Sequence, residues 1–105
     1  MPSFNHERFI RDAINSVLMQ TISDWELMIV DDCSSDKSKE VIQEWVRRDS
    51  RVRAILHSKN MGVSRTVNDG IEAAGGIYIT VIASDDMFDP HLLERAVDVL
   101  ESDVT

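Results

Sequence analysis

Apolar residues along the chain switch between a helical and an extended spacing. Over residues 7–20, Phe9, Ile10, Ala13, Ile14, Val17 and Leu18 recur in pairs four apart, which is one face of a helix. Residues 25–30 then form a nearly unbroken apolar run, the pattern of a buried strand, ending at Asp31-Asp32. Cys33-Ser34-Ser35-Asp36 supplies turn and capping chemistry, and a second helix is predicted over 37–48 with Val41, Ile42, Trp45 and Val46 inward. Residues 51–57 read as the next strand, with Val52, Ala54 and either Ile55 or Leu56 inward. Asn60-Met61-Gly62 reads as a turn, and residues 63–74 as a third helix burying Val63, Val67, Ile71 and Ala74. Gly70 costs that helix about 1 kcal/mol relative to Ala, and Gly75-Gly76 is placed to close it.

The last unit carries the sharpest pattern. A β-branched and aromatic run over 77–82 predicts a strand buried on both faces, and it stops at Asp85-Asp86. Asp89-Pro90 starts a helix, Asp as N-cap and Pro at the first helical position. That helix, over 90–101, buries Leu92, Leu93, Ala96, Val97 and Leu100. Strict alternation of strand and helix with short connections predicts an α/β fold, a parallel sheet flanked by helices in three Rossmann-like layers. The chain opens on a loop, Met1 to His6, where such a fold opens on a strand, and it stops shortly after a helix. The pattern therefore predicts a single partial domain over 1–105.

Composition narrows this little. A net charge of −8 argues against a nucleic-acid partner held by a basic surface. The single cysteine, Cys33, forms no intrachain disulfide and points to a reducing, cytoplasmic setting. No apolar run approaches the roughly 20 residues that cross a bilayer.

The candidate chemistry lies in the two carboxylate pairs. Adjacent acids at the end of a buried strand are costly unless a cation or water shares their charge. Parallel strands put both pairs on one sheet edge, with the Pro2 to Asn5 loop and the Asn60 to Gly62 turn, and that edge is where open α/β sheets bind ligands. Manganese or magnesium takes one or two carboxylates and fills its other positions with phosphate oxygens and water, so a nucleoside diphosphate held through a divalent cation fits. The other acid pair could accept from a base or ribose.

With these segments in order, the chain resembles the nucleotide-binding half of the inverting family 2 glycosyltransferases, which have the GT-A fold. The resemblance rests on Pro2-Ser3-Phe4-Asn5, on 13–21 with its Gln20-Thr21 exit, and on 26–36 with its Asp31-Asp32 turn. It continues through Asn60-Met61-Gly62, Asn68-Asp69-Gly70-Ile71, 76–79, Asp85-Asp86 and Pro90. It implies a nucleoside diphosphate sugar donor, uridine-linked, and transfer with inversion to a hydroxyl of a saccharide or lipid-linked saccharide. By resemblance Pro2, Ser3 and Phe4 form the nucleotide loop, Phe4 lying against the base. Asp32 bonds the base edge, Asp85 approaches the ribose and diphosphate, and Asp86, with Asp85, holds the metal. The general base is expected beyond Thr105, so the chain alone is expected not to turn over. This reading leaves membrane association of a longer parent open, and the incomplete sheet is expected to close its gap, stay weakly paired or self-associate.

Three positions depart from the family pattern. Ala83 stands where an acid is common, Val67 where Arg is common, and Cys33 where Gly is common, which strains that turn if its φ is positive. Two other readings remain: a non-catalytic nucleotide-binding or assembly module, and a receiver-type signalling domain, which wants a Lys after a late strand that is absent after Ile82. His6, His57 and His91 lack metal-ligand spacing, His6 alone standing near enough to the loop for a minor phosphate contact. Trp45 falls on its helix's apolar spacing, and Asp31 and Asp32 disfavour a Cys33 thiolate.

Overall fold

The computed structural model describes residues 1–75, 79, 81, 82, 84, 87 and 89–102, with side chains to residue 98. Three parallel strands run β1 (Pro2–Ser3), β2 (Leu27–Asp31) and β3 (Val52–Leu56), in that spatial order. Helices α1 (Ile10–Leu18), α2 (Ser38–Arg48), α3 (Val63–Ala73) and α4 (Leu92–Ser102) complete the alternation. The central strand β2 is buried along its whole length, as its apolar run predicts. Its own Ile29 and, packed around it, Ile10, Ile14 and Ile42 are fully shielded from water, each contributing about 1.5–3 kcal/mol by burial. Ile10, Ala13, Ile14 and Val17 are the buried face of α1.

The opening residues differ from expectation. The predicted loop contains a short strand, with Pro2 beside Val30 and Ser3 beside Asp31. The Val30 N–H donates to Met1 O at 3.0 Å, and the Asp32 N–H to Ser3 O at 2.8 Å. Met1 and Ser3 thus make the bonds to β2, and the donor that Pro2 lacks is not needed on that side. Helix α1 begins at Ile10 rather than 7, because the Glu7 N–H donates to Asp36 Oδ2 at 3.1 Å instead of entering the helix.

Helix α3 is rotated from the predicted face. Val63 is 75% exposed and Ile71 is 41% exposed, while Thr66 is buried. The reason is Gly70: a Cβ there would meet Val30 Cγ2 at 3.2 Å, so the bare glycine lets α3 lie close on β2 along the Thr66–Gly70 side. The helix also closes without a left-handed glycine, since Ala74 is extended at φ −71° and ψ 137° and Gly62 is the only described glycine at positive φ. Gly76 lies outside the described residues. Of the run predicted to be buried on both faces, Ile79 and Val81 are each half exposed and Ile82 is buried, while residues 77, 78 and 80 lie outside the described residues. Ile79, Val81 and Ile82 face a cavity of about 670 Å³, walled also by α3, α4 and the start of β2.

Helix α4 begins at Leu92 rather than at Pro90, Pro90 and His91 forming a turn, but Asp89 caps its approach as expected. Asp89 Oδ1 accepts the His91 N–H at 2.9 Å, the bond of a capping Asp. Gln20 clasps this turn to the end of α1: its Nε2 donates to Ser16 O and to Asp89 O, and its Oε1 accepts the Leu93 N–H at 3.0 Å. The Gln20-Thr21 exit of α1 is thereby tied to α4, with the Thr21 N–H on Pro90 O and its hydroxyl on Glu94. Leu92, Leu93, Ala96 and Val97 are half-buried; the Leu100 side chain lies outside the described residues.

Candidate functional site

The carboxyl ends of β1, β2 and β3 form one edge, and three loops meet there. After β1, Phe4 is 44% exposed and Asn5 takes φ 53°, the left-handed conformation that Asn tolerates. Asn5 zips its loop to the one after β2: its N–H donates to Ser34 Oγ at 3.0 Å, and its Oδ1 accepts the Ser35 N–H at 2.8 Å. Ser34 in turn donates its N–H and hydroxyl to the fully buried Asp31, at 2.9 and 2.6 Å. Asp36 closes the arrangement by accepting the Ser38 N–H at 2.9 Å as well as that of Glu7. Asp31 is therefore a turn-building acid whose charge is shared by local donors.

Asp32 is held by the third loop. Its Oδ1 accepts the Met61 N–H at 2.7 Å and bonds His57 Nδ1 at 3.0 Å, and its Oδ2 accepts the Gly62 N–H at 3.0 Å. Gly62 sits at φ 90° and ψ 162°, a conformation essentially reserved for glycine, and starts α3. Burial works to raise the Asp32 pKa, but these hydrogen bonds and the His57 charge outweigh it and hold the carboxyl below its ordinary value. One acceptor position on Oδ2 is left after these three bonds.

His57 is the residue that sequence reasoning passed over. It follows β3 directly, and the register of Asp31 beside Leu56 brings it next to Asp32. Its other nitrogen, Nε2, bonds Asp69 Oδ2 on α3 at 2.7 Å, and Asp69 Oδ1 accepts from Arg65 Nε at 3.0 Å. Bonding a carboxylate at both nitrogens takes two N–H groups, which only the imidazolium has. The hydrogen bond to Asp32 accordingly raises the His57 pKa above its ordinary value, against a lowering by burial and with further help from Asp69. The parallel register was the signal that could have found this bridge.

Among the positions singled out from sequence, Pro2 and Ser3 lie in β1, Ser3 buried with a hydroxyl that has no partner among the described residues. Phe4 is exposed beside them. Asp85 and Asp86 lie outside the described residues, but Ser84 just before them is buried, and its Oγ is hydrogen-bonded to His6 Nδ1 at 2.6 Å. The chain entering the second acid pair thus meets the loop that carries Phe4. No cluster of three metal-ligating side chains occurs among the described residues.

Cys33 sits at φ 61°, so the turn after Asp32 does take the conformation that an L side chain strains. Its thiol makes a long contact to Ser58 O, 3.6 Å. Cys33→Gly is expected to stabilise the chain by about 0.5–1 kcal/mol, once the larger unfolded-state freedom of glycine is allowed for. Urea unfolding of the two proteins measures it.

Comparison with known proteins agrees with this geometry. The family model described as glycosyl transferase family 2 matches residues 1–105. The chain is 38% identical over 101 residues to the glycosyltransferase EpsJ of Bacillus subtilis, covering 96% of this chain and 29% of EpsJ. It is 33% identical over 105 residues to the chondroitin synthase of Escherichia coli, covering all of this chain and 15% of that protein. The chain thus spans less than a third of either relative. Among solved structures, S. aureus TarS 1–349 in complex with UDP-GlcNAc superposes with a TM-score of 0.88 at 23% identity, over 96% of this chain and 30% of that one. The mannosyltransferase PcManGT of Pyrobaculum calidifontis, in complex with GDP-Man and Mn2+, gives 0.86 at 18% identity, over 94% of this chain and 30% of its own. These likenesses establish the α/β GT-A fold. The converging loops, the family model over every residue and the shared architecture lead to one assignment: the chain belongs to glycosyl transferase family 2.

Proposed function

We propose that this chain is the donor-binding half of an inverting glycosyltransferase, holding a uridine diphosphate sugar through a divalent cation. The observation that carries the reading is the convergence at the sheet edge. Asn5 ties the Phe4 loop to the Asp31-Asp32 turn, and His6 ties the same loop to Ser84, next to Asp85. In this reading the exposed Phe4 ring lies against the base, and Asp32 offers its remaining Oδ2 position to a base N–H. Pro2 and Ser3 support the loop through the backbone. Asp31 and Asp32 are occupied by protein donors, which favours Asp85 and Asp86 as the acids left for manganese or magnesium. When bound, the cation would offset the charge that builds on the leaving diphosphate. That TarS has been solved with UDP-GlcNAc and PcManGT with GDP-Man and Mn2+ supports the donor class. The acceptor is a hydroxyl of a saccharide or lipid-linked saccharide, and a cytoplasmic setting is part of the proposal.

Calorimetric titration with UDP, with and without manganese, tests it. Binding that needs the metal and falls at least about tenfold in Asp86→Ala is the expected outcome. Equal binding with and without metal, or none at all, would count against the donor reading. Labelling by acetyl phosphate would instead favour a receiver.

A further inference from the structure

Asp32 is tied to α3 at two points. At the start of the helix the Met61 and Gly62 N–H groups donate to its carboxylate, and two turns along, about 10 Å, Asp69 reaches it through His57. Gly62, at φ 90°, is a pivot, so the backbone bonds alone would leave α3 free to swing about that end. The His57 bridge removes this freedom. Its side chain is 10% exposed and that of Asp32 7%, so bulk water does not make good a bond lost between them. The charged groups facing the ring are Asp32 from the turn after β2 and Asp69 from α3, with Arg65 behind Asp69. Lys59, on the same loop, is exposed, and the Cys33 thiol meets that loop at Ser58 O. Helix α2 also packs on β3, and none of its charged side chains bonds His57 among the described residues.

We propose that His57 is a positioning residue of the donor site: its imidazolium, braced on Asp69, fixes the Asp32 carboxylate for the base N–H and makes affinity for a uridine diphosphate sugar depend on the ring's proton. This role rests on the donor-binding reading of Asp32. The carboxylate keeps one acceptor position on Oδ2, and a base N–H meets it well only while the carboxylate plane is fixed. Oδ1 carries the His57 bond, so the ring helps to set that plane. A neutral imidazole has one N–H for two carboxylates. Its other nitrogen turns a lone pair on an oxygen at 2.7 or 3.0 Å, which repels. If Asp32 is repelled, its plane turns. If Asp69 is repelled, α3 loses its second tie, and the turn bearing Met61 and Gly62 loosens beside Asp32. Charge acts in the same direction, since a diphosphate approaches an edge carrying Asp31, Asp32 and Asp36, and the imidazolium offsets part of that field. Against this, the imidazolium draws charge from Asp32 and weakens Oδ2 as an acceptor, a smaller effect than loss of the bond's direction. The bond to Asp32, with help from Asp69, raises the His57 pKa and so extends the imidazolium form above the ordinary histidine range.

The test is calorimetric titration of the full chain with UDP-GlcNAc and magnesium from about pH 6 to 9, beside NMR titration of the histidine rings. The diphosphate of this probe carries a sugar at one end and a nucleoside at the other, so it has no terminal phosphate to titrate in that range. Affinity is expected to fall at least about fivefold as His57 loses its proton. By linkage, saturating probe raises the His57 midpoint by about 0.7 pH unit, the same factor. Asp69→Asn should move both the midpoint and the break in affinity to lower pH together. That shift tells His57 apart from the base and from His6, which bonds Ser84 elsewhere on the edge. His57→Gln should bind weakly with no break; should it not fold by circular dichroism, wild type and Asp69→Asn decide. Affinity that stays level or rises through the His57 titration overturns the proposal, and so does a break that Asp69→Asn leaves in place. Each of these results keeps the donor reading intact. Absence of binding at every pH removes the donor reading, and this role with it.

Discussion

Asp32→Ala is expected to lower the unfolding free energy by about 2–4 kcal/mol near pH 5–6, the largest loss at the sheet edge. The carboxylate accepts from two backbone N–H groups and from His57, and all three lose a charged partner at once. The pH dependence identifies the cause. The His57 pKa is raised above 6.5, so its contribution is complete below 6.5 and lost as pH climbs through the folded value. The Asp32 pKa is lowered below 3.8, so its contribution is complete above 3.8 and lost as pH falls through the folded value. The difference between wild type and Asp32→Ala should therefore be widest between about pH 4 and 6.5. It narrows above that window, where the Met61 and Gly62 bonds alone remain, and approaches zero in strong acid. Urea titrations across pH measure this. A difference independent of pH would leave His57 outside the network.

For a polypeptide that starts at Met1, acetylating the amine should stabilise the fold by about 2–3 kcal/mol at pH 5 and by little at pH 9. The amine titrates at 8.0 when unfolded and at about 6 when folded, because burial penalises its charge. Below pH 8 the unfolded chain binds a proton that the native chain resists. The penalty grows as pH falls and is complete below about 6. An acetyl cap removes the charge while keeping an N–H for Met28 O. Chemical denaturation of capped and uncapped protein at the two pH values decides it. An equal gain at both would mean that filling the cavity, not removing the charge, is responsible.

The helices α1 and α2 and the strands β2 and β3 were legible because each buries one stripe or one run, and spacing along the chain reports that directly. The family was legible for a different reason: its motifs stand in order from Pro2 to Pro90, within the match over residues 1–105. Helix α3 misled because its apolar stripe, including Val67 and Ile71, borders a cavity, while the close contact is made by small residues, Thr66 and Gly70. Side-chain volume, not hydropathy, set that orientation. The β1 strand escaped notice because two residues cannot display a period. His57 escaped because its partners come from β2 and α3, and only a known register brings Asp32 and Asp69 to it. Asp31 and Asp32 were found as a pair, yet their different work inside the protein, one building a turn and one anchoring the next loop, depends on which N–H groups surround each.

The Gln20 clasp bears on how the chain is made. Its partners at Asp89 and Leu93 lie 69 and 73 residues away, whereas β2 and β3 pair residues 25 apart. Closing the longer loop costs about 1 kcal/mol more entropy, and during synthesis its far end leaves the ribosome after β2 and β3. The nascent protein can dock α1 on the sheet while the amide of Gln20 is still solvated, and α4 then finds its acceptor and donor already in place.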